Sequence, residues 1–483
     1  MKKFFFQPDH AWVGDLIPYY EDGTYYAYYL HDPRCYPDQY AEQTTWHLVT
    51  TQDFKTLCDA GETFPCAADD RPNCNAYTGS VIRDKDGIYH AYFTAFNSKI
   101  NLLDGKPIQA VMRAKGTDPA HLTVDEDFFF TADDRIYEMY DWRDPCVTYN
   151  EAEDCYYMLL CARKKGAGAL RGGCLALCKS KDLNSWTYEA PFYDPHMYVT
   201  MECPDLFRMG DWYYLAFSTF SDRFATHYRM AKDPCGPWKI PALDTFDSRD
   251  NYAIKTGGDD RKRYLFGWIP SKKGNTDYGP WEWGGTMVFH ELVQDPETGL
   301  LTVKTTGAEE SFFSSGRELT GQKEFFAEAA AQEDGLALSA ENLGAVLYDA
   351  PEESFLLDAE LEIREGTEFG LALHTDGGLE KGYFLRMWPG KQMAWDIWPR
   401  TDRPGIYQWQ IDGDVPYQIE SSRPLPKAER YRIRLIREDD ISVVYVNDEI
   451  ALSYRMYGHS SGKLGFYLVQ GNMIIRHLSL KTR

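Results

Sequence analysis

Positive charge is what this sequence is shortest of: 51 Lys and Arg stand against 74 Asp and Glu, a formal charge of −23. A chain of that sign repels phosphate backbones and anionic lipid headgroups, which excludes nucleic acid and membrane surfaces as partners. Long apolar runs are missing too. The amino-terminal one is only Phe4-Phe5-Phe6, against the about 7–15 residues of a secretory leader, and no stretch nears the ~20 residues of a membrane span. The expectation is a cytoplasmic protein. Cysteine occurs eleven times, an odd number scattered without CxxC pairs or Cys/His ligand spacing; this excludes a disulfide framework and a zinc site and fits free thiols. No glycine-rich phosphate loop or metal-ligand cluster is present, so no cofactor is expected.

Aromatic residues, by contrast, are abundant: 34 Tyr, 26 Phe and 13 Trp against 25 Pro. They favour strands and supply flat faces on which sugar rings stack. They also recur in order. A turn rich in Asp or Gly followed by a Tyr-led aromatic strand comes five times, anchored at Tyr25, Tyr89, Tyr156, Tyr213 and Tyr264, with spacings of 64, 67, 57 and 51 residues. Each unit carries a second strand signature 20–30 residues later, such as Val49 to Phe54 or Met230 to Pro234. Two hairpins per unit make a four-stranded blade, and five such units predict a five-bladed β-propeller over residues 1–305. Residues 306–342 read as a linker, with a short helix expected near Phe325 to Gln332. Residues 343–483 then alternate apolar and polar positions in short segments, among them Phe355 to Ile363, Tyr383 to Trp388 and Tyr431 to Arg437, which predicts an antiparallel β-sandwich. The whole chain is expected to be all-β.

The innermost strand of each blade should lie just upstream of its anchor tyrosine. Reading back ten to twelve residues finds Asp15, Asp144 and Glu202, three carboxylates converging on one funnel. Their flanks are more specific than their spacing. Trp12-Val-Gly-Asp15, then Trp142-Arg143-Asp144-Pro, then Met201-Glu202-Cys203-Pro-Asp resemble, in that order, glycoside hydrolase family 32, the β-fructofuranosidases. Tyr77-Thr78-Gly-Ser80, Phe266-Gly-Trp268 and Trp283-Gly-Gly to Glu291-Leu292 extend the resemblance along the whole propeller, and members of that family also carry a carboxy-terminal β-sandwich.

That resemblance implies Asp15 as nucleophile, Glu202 as general acid and then base, and Asp144 as transition-state stabiliser. A retaining glycosidase needs two carboxyl groups about 5–5.5 Å apart, one ionised to attack the anomeric carbon and one protonated to release the leaving oxygen. Crowding by like charges is expected to hold Glu202 protonated, hydrogen bonds to keep Asp15 ionised, and Arg143 to keep Asp144 charged while itself gripping the sugar. Trp12, Trp46 and Trp268 are candidate sugar platforms, as are Trp281 and Trp283, although a propeller tryptophan also serves as blade packing. Thr78 and Ser80 either donate to sugar or close a turn. His10, His31 and His47 read as structural, and Cys203 as a small buried residue.

Two positions leave the family pattern. Gly14 stands where Asn normally precedes the nucleophile, and Leu30 where a Gln is normal, so two amides that would hold a fructosyl ring are gone. A short fructo-oligosaccharide or an unusual fructosyl linkage is therefore expected to fit better than plain sucrose. An inverting propeller hydrolase of arabinan or xylan, with carboxyls about 6.5–9.5 Å apart, and a propeller that binds sugar without cutting it are the rival readings. The aromatic cluster Trp388, Trp395, Trp398, Tyr407 and Trp409 reads as packing against the propeller or a second copy of the chain, which would make a homo-oligomer through the sandwich.

Overall fold

The computed structural model describes residues 3–34, 44–65, 67–100, 102–259, 261–400, 421–458 and 460–483. Five blades follow one another along the chain. Their inner strands are Trp12–Glu21, Asn75–Arg83, Tyr137–Asn150, Glu202–Met209 and Tyr252–Gly258. Each pairs antiparallel with the strand its anchor tyrosine opens, for example Thr24–Asp32 in blade 1 and Arg263–Lys272 in blade 5. Blade 4 has three strands, with Lys239 bridging to Met230 at its outer edge. Val13 pairs with Gly285 and Phe6 bridges to Met287, which ties the first blade to the last and closes the ring.

The aromatic repeat has a packing reason. Neighbouring blades must bury apolar faces against each other, and separate clusters fill the gaps between them: Tyr28, Trp46 and Phe93 between blades 1 and 2, Tyr92, Trp142 and Met158 between 2 and 3. Large flat side chains fill such wedge-shaped gaps, each removing roughly 150–250 Å² from water.

The second domain is the expected β-sandwich, with one difference in how it begins. Lys463–Thr482 is a single strand of 20 residues that serves both sheets. Its first half pairs with Glu368–Thr375, its second with Phe355–Glu365, and Gln470 and Gly471, at φ of 52° and 138°, turn it between them. The segment read as a linker joins this sheet. Ser315–Arg317 pairs with the end of the long strand, and Lys323–Phe325 and Glu328–Gln332 pair with Gly335–Asp349. The helix expected near Phe325 to Gln332 is therefore a pair of short strands, because pairing to a neighbour overrides the weak helical preference of Ala and Glu; the short helix is Glu309–Phe312.

Trp395 is wholly buried in the sandwich core, and Arg386 lies over both Trp388 and Trp398, so these three pack within the sandwich itself. Tyr407 and Trp409 lie outside the described residues. The sandwich docks on blades 4 and 5 through one continuous core in which Phe207, Tyr214 and Leu265 meet Leu356, Val443 and Tyr445. No helix among the described residues is long and apolar enough to cross a membrane.

Candidate active site

Every inner strand breaks register where it reaches the funnel: between Val13 and Leu16, Tyr77 and Gly79, Arg143 and Cys146, Glu202 and Asp205, and Tyr252 and Lys255. Such bulges bend a strand and re-aim its side chains. Three of them hold a non-glycine residue at positive φ, namely Asp144 (58°), Cys203 (50°) and Ala253 (53°). The bulges deliver Asp15, Thr78, Asp144, Glu202 and Tyr252 into one cavity of about 430 Å³. A larger groove, 1130 Å³, runs along the sandwich beside Phe325 and Phe326, but its glutamates 328, 341 and 365 are all exposed and solvated, a poor setting for acid–base work.

Asp15 receives the Thr78 hydroxyl at 2.6 Å, the Trp268 indole N–H at 2.9 Å and the Cys203 thiol at 3.6 Å. Burial raises its pKa, and the hydrogen bonds from Thr78 and Trp268 work against that rise. Glu202 is held from two sides, by the Arg143 Nη2 at 3.0 Å and by the Tyr252 hydroxyl at 2.7 Å. Arg143 also donates to Asp141 at 2.6 Å and Gln109 at 3.2 Å, so its guanidinium is clamped at three points.

Asp144 accepts the backbone N–H of Cys203 at 2.9 Å, and its own N–H donates to Thr94. Arg143 approaches it only to 3.9 Å. Burial accordingly outweighs the cation and pushes Asp144 to about 7, which corrects the expectation that Arg143 keeps this carboxyl charged. The guanidinium points instead at Glu202, whose hydrogen-bond partners are donors rather than a second carboxylate.

The candidate sugar-binding residues divide. Thr78 and Arg143 line the cavity. Trp268 is 1% exposed and holds Asp15 by its N–H, so it positions a carboxylate rather than offering a face to sugar. Trp46 is fully buried between blades 1 and 2, with its N–H on the Tyr77 carbonyl. Ser80 accepts the Val147 N–H and stitches blade 2 to blade 3. Trp12 lies beneath the Arg34 guanidinium, 4.2 Å from the ring centre. Trp46, Ser80 and Trp12 are thus packing elements, because bulk and hydrogen-bonding capacity say nothing about which face of a blade a side chain occupies. His31 and His47 stack at 4.1 Å within blade 1.

Tyr252, Asp141 and Gln109 were not anticipated. Tyr252 had a signal: it lies twelve residues before Tyr264, the offset that also locates Asp144, but a search confined to carboxylates passes over it. Asp141 lies two residues before Arg143 on the same inner strand, whereas Gln109 comes from the third strand of blade 2 and only blade packing brings it to Arg143. Among the described residues no group of His, Cys, Asp or Glu is arranged to hold a metal ion.

A five-bladed propeller whose funnel gathers three inner-strand carboxylates, followed by a β-sandwich, is the architecture of a glycoside hydrolase. The glycosyl hydrolases family 32 N-terminal domain matches residues 5–298, more than half of the chain, and the chain belongs to that family. Among solved structures it is similar to fructan 1-exohydrolase IIa from Cichorium intybus, at 15% identity and a TM-score of 0.72 over 99% of this chain and 96% of that one. It is similar also to sucrose-6-phosphate hydrolase from Lactobacillus gasseri, at 16% identity and 0.70 over 98% and 92%, and to a β-fructofuranosidase from Bombyx mori, at 16% identity and 0.65 over 99% and 93%. At such identities the likeness is one of fold. No curated protein matches the chain.

Proposed function

We propose that this protein is a retaining hydrolase of terminal β-fructofuranosyl linkages in neutral sucrose-like sugars or short fructo-oligosaccharides. The observation that carries the reading is the shared cavity: Asp15, fixed by Thr78 and Trp268, and Glu202, fixed by Arg143 and Tyr252, face the same 430 Å³ space with Asp144 beside them. Asp15 attacks the anomeric carbon, displacing the leaving oxygen, which takes its proton from Glu202. Glu202 then removes a proton from water, which attacks the fructosyl–Asp15 ester and frees the sugar. Asp144 accepts hydroxyls of the ring, hydrogen bonds that tighten as oxocarbenium character develops.

Charge argues for a neutral substrate. Among the described lining residues Arg143 is the one cation and is already paired, while Asp15, Asp32, Asp141, Asp144 and Glu202 are all acidic. A phosphorylated sugar would meet repulsion there. The described cysteines are free thiols, which supports a reducing, cytoplasmic setting.

The test is product analysis after incubation with sucrose, 1-kestose, inulin, levan and arabino-oligosaccharides, with proton NMR of the first-formed anomer. The expected result is fructose released with retained configuration, and a fall of about 10²–10⁴-fold in kcat for Asp15→Asn and Glu202→Gln. Failure to release ketose from any fructoside would overturn the reading, and arabinose of inverted configuration would replace it.

A further inference from the structure

No step of the hydrolysis uses Lys255, a cation on the inner strand of blade 5 that is only 3% exposed. A buried ammonium normally sits beside a counter-ion, because taking it out of water is costly. This one instead donates its single hydrogen bond among the described residues to the carbonyl of Gly79, at 2.7 Å. The contact joins two bulges. Lys255 ends the register break that starts at Tyr252, and Gly79 ends the one that starts at Tyr77. Blades 5 and 2 are not neighbours in the ring, so the bond crosses the propeller axis. The blade 2 bulge is a hub for the site: the Thr78 hydroxyl donates to Asp15 at 2.6 Å, while the Thr78 carbonyl accepts the Thr94 hydroxyl, whose oxygen in turn accepts the N–H of Asp144. Gly79 is pressed on its own second strand, where a Cβ would lie 1.8 Å from the Tyr92 carbonyl oxygen. The blade 5 bulge carries Tyr252, which holds Glu202 at 2.7 Å.

We propose that Lys255 is a positioning residue for the two working carboxyls: its tether across the axis fixes the Thr78–Asp15 side of the funnel against the Tyr252–Glu202 side. A bulge interrupts the strand ladder and leaves a residue unpaired, so two bulges without a cross-link would shift independently. Displacing one reacting group by about 1 Å costs on the order of 10²-fold in rate. Lysine suits the task because its long stem spans the axis and its ammonium is donor-only, matched to a carbonyl. Its charge also reaches the buried thiols of Cys146 in blade 3 and Cys203 in blade 4, lowering both against the rise that burial causes. Asp205 is taken up by the N–H and hydroxyl of Thr256. The inference rests on the glycosidase reading of the funnel and deepens it.

Steady-state kinetics on sucrose and 1-kestose as a function of pH would be measured for the unmutated protein, Lys255→Met, Thr78→Val and their double variant. Leu452→Ala, in the core of the sandwich, serves as a control for general loss of stability. Hydrogen exchange over the blade 2 inner strand, Asn75–Arg83, would be followed in the same proteins. Lys255→Met should lower kcat about 10–100-fold with KM within about threefold, the signature of lost transition-state geometry. The acid limb of kcat/KM should move to higher pH, as in Thr78→Val, because a displaced Thr78 no longer opposes the effect of burial on Asp15. The double variant should be little worse than Thr78→Val alone, and exchange over the blade 2 strand should quicken about tenfold or more in Lys255→Met only. A lysine that merely fills the channel would lower Tm as Leu452→Ala does and leave kcat and the acid limb unmoved; that result, or simple additivity with Thr78→Val, would overturn the proposal. If Lys255→Met fails to fold, Lys255→Gln, whose polar end stops one bond short of the lysine nitrogen, decides on the same criteria. Should the unmutated protein cleave neither sugar while exchange in blade 2 depends on Lys255, the fructosidase reading falls and the tether stands. Cleavage with kcat independent of Lys255 has the opposite meaning.

Discussion

Asp144 shows what enclosure does to a single carboxyl. Its pKa of about 7 stands well above the ~3.9 of a free aspartate, so the folded protein binds that proton more tightly than the unfolded chain does. Its contribution to stability is full below about pH 4 and is lost as pH rises through about 7. Asp144→Asn removes the titration. Relative to the unmutated protein, the variant should gain on the order of 2–4 kcal/mol between pH 4.5 and 8, read from paired denaturation curves; an offset independent of pH would refute the assignment. His47 runs the other way. Burial and the neighbouring His31 hold it at about 4, so the unfolded chain takes up its proton first, and stability is lost as pH falls from about 6.5 to 4. His47→Gln should flatten that acid limb and leave the Asp144 slope in place.

The recurring element is the bulged inner strand. Its strain is visible in the positive φ of Asp144, Cys203 and Ala253, a conformation that costs L-residues roughly 1–2 kcal/mol and β-branched ones more. Ala253 is wholly buried and adjoins Tyr252, which holds Glu202. Ala253→Val should therefore destabilise by about 2 kcal/mol or more in urea and lower kcat by shifting Tyr252, while Ala253→Gly stays within about 1 kcal/mol. Equal stability of the two would mean that the bulge is not strained. The second strands of the blades were legible in sequence because each begins with the same Tyr-led pattern. The bulges were not, since a register break depends on the partner strand and leaves only scattered traces, such as Gly14.

At the scale of the molecule, propeller and sandwich share buried polar contacts as well as a core. Asp247 accepts both the N–H and the hydroxyl of Ser453, at 2.9 and 2.6 Å. Burial alone would raise its pKa, yet His290, Arg423 and Ser453 together hold it at about 2. Glu438 on the sandwich accepts the N–H groups of Phe4 and Phe5, and Arg455 donates to the carbonyls of Ile269 and Pro270. Two bodies joined by one core should unfold together, so calorimetry should show a single transition. Asp247→Ala, which strands several buried donors, should lower stability by roughly 3–5 kcal/mol. Two resolved transitions, or a shift of Tm too small to measure, would show that the interface is weaker than its geometry.

Composition and repetition were enough to indicate the fold class: five Tyr-led units for a propeller, and short alternating segments after them for a sandwich. Local flanks pointed to Asp15, Asp144 and Glu202, and the structure brings these three carboxyls to one cavity. Tertiary structure alone decided which tryptophans face the funnel, since Trp46, Trp268 and Trp283 are chemically alike and differ only in blade, face and neighbours. It alone directed Arg143 to Glu202 rather than to the adjacent Asp144, because the register break that follows Arg143 re-aims these side chains and blade 4 brings Glu202 within 3.0 Å. It likewise filled the space over Gly14 with a ring from a residue far along the chain, a contact that exists only once the last blade closes on the first.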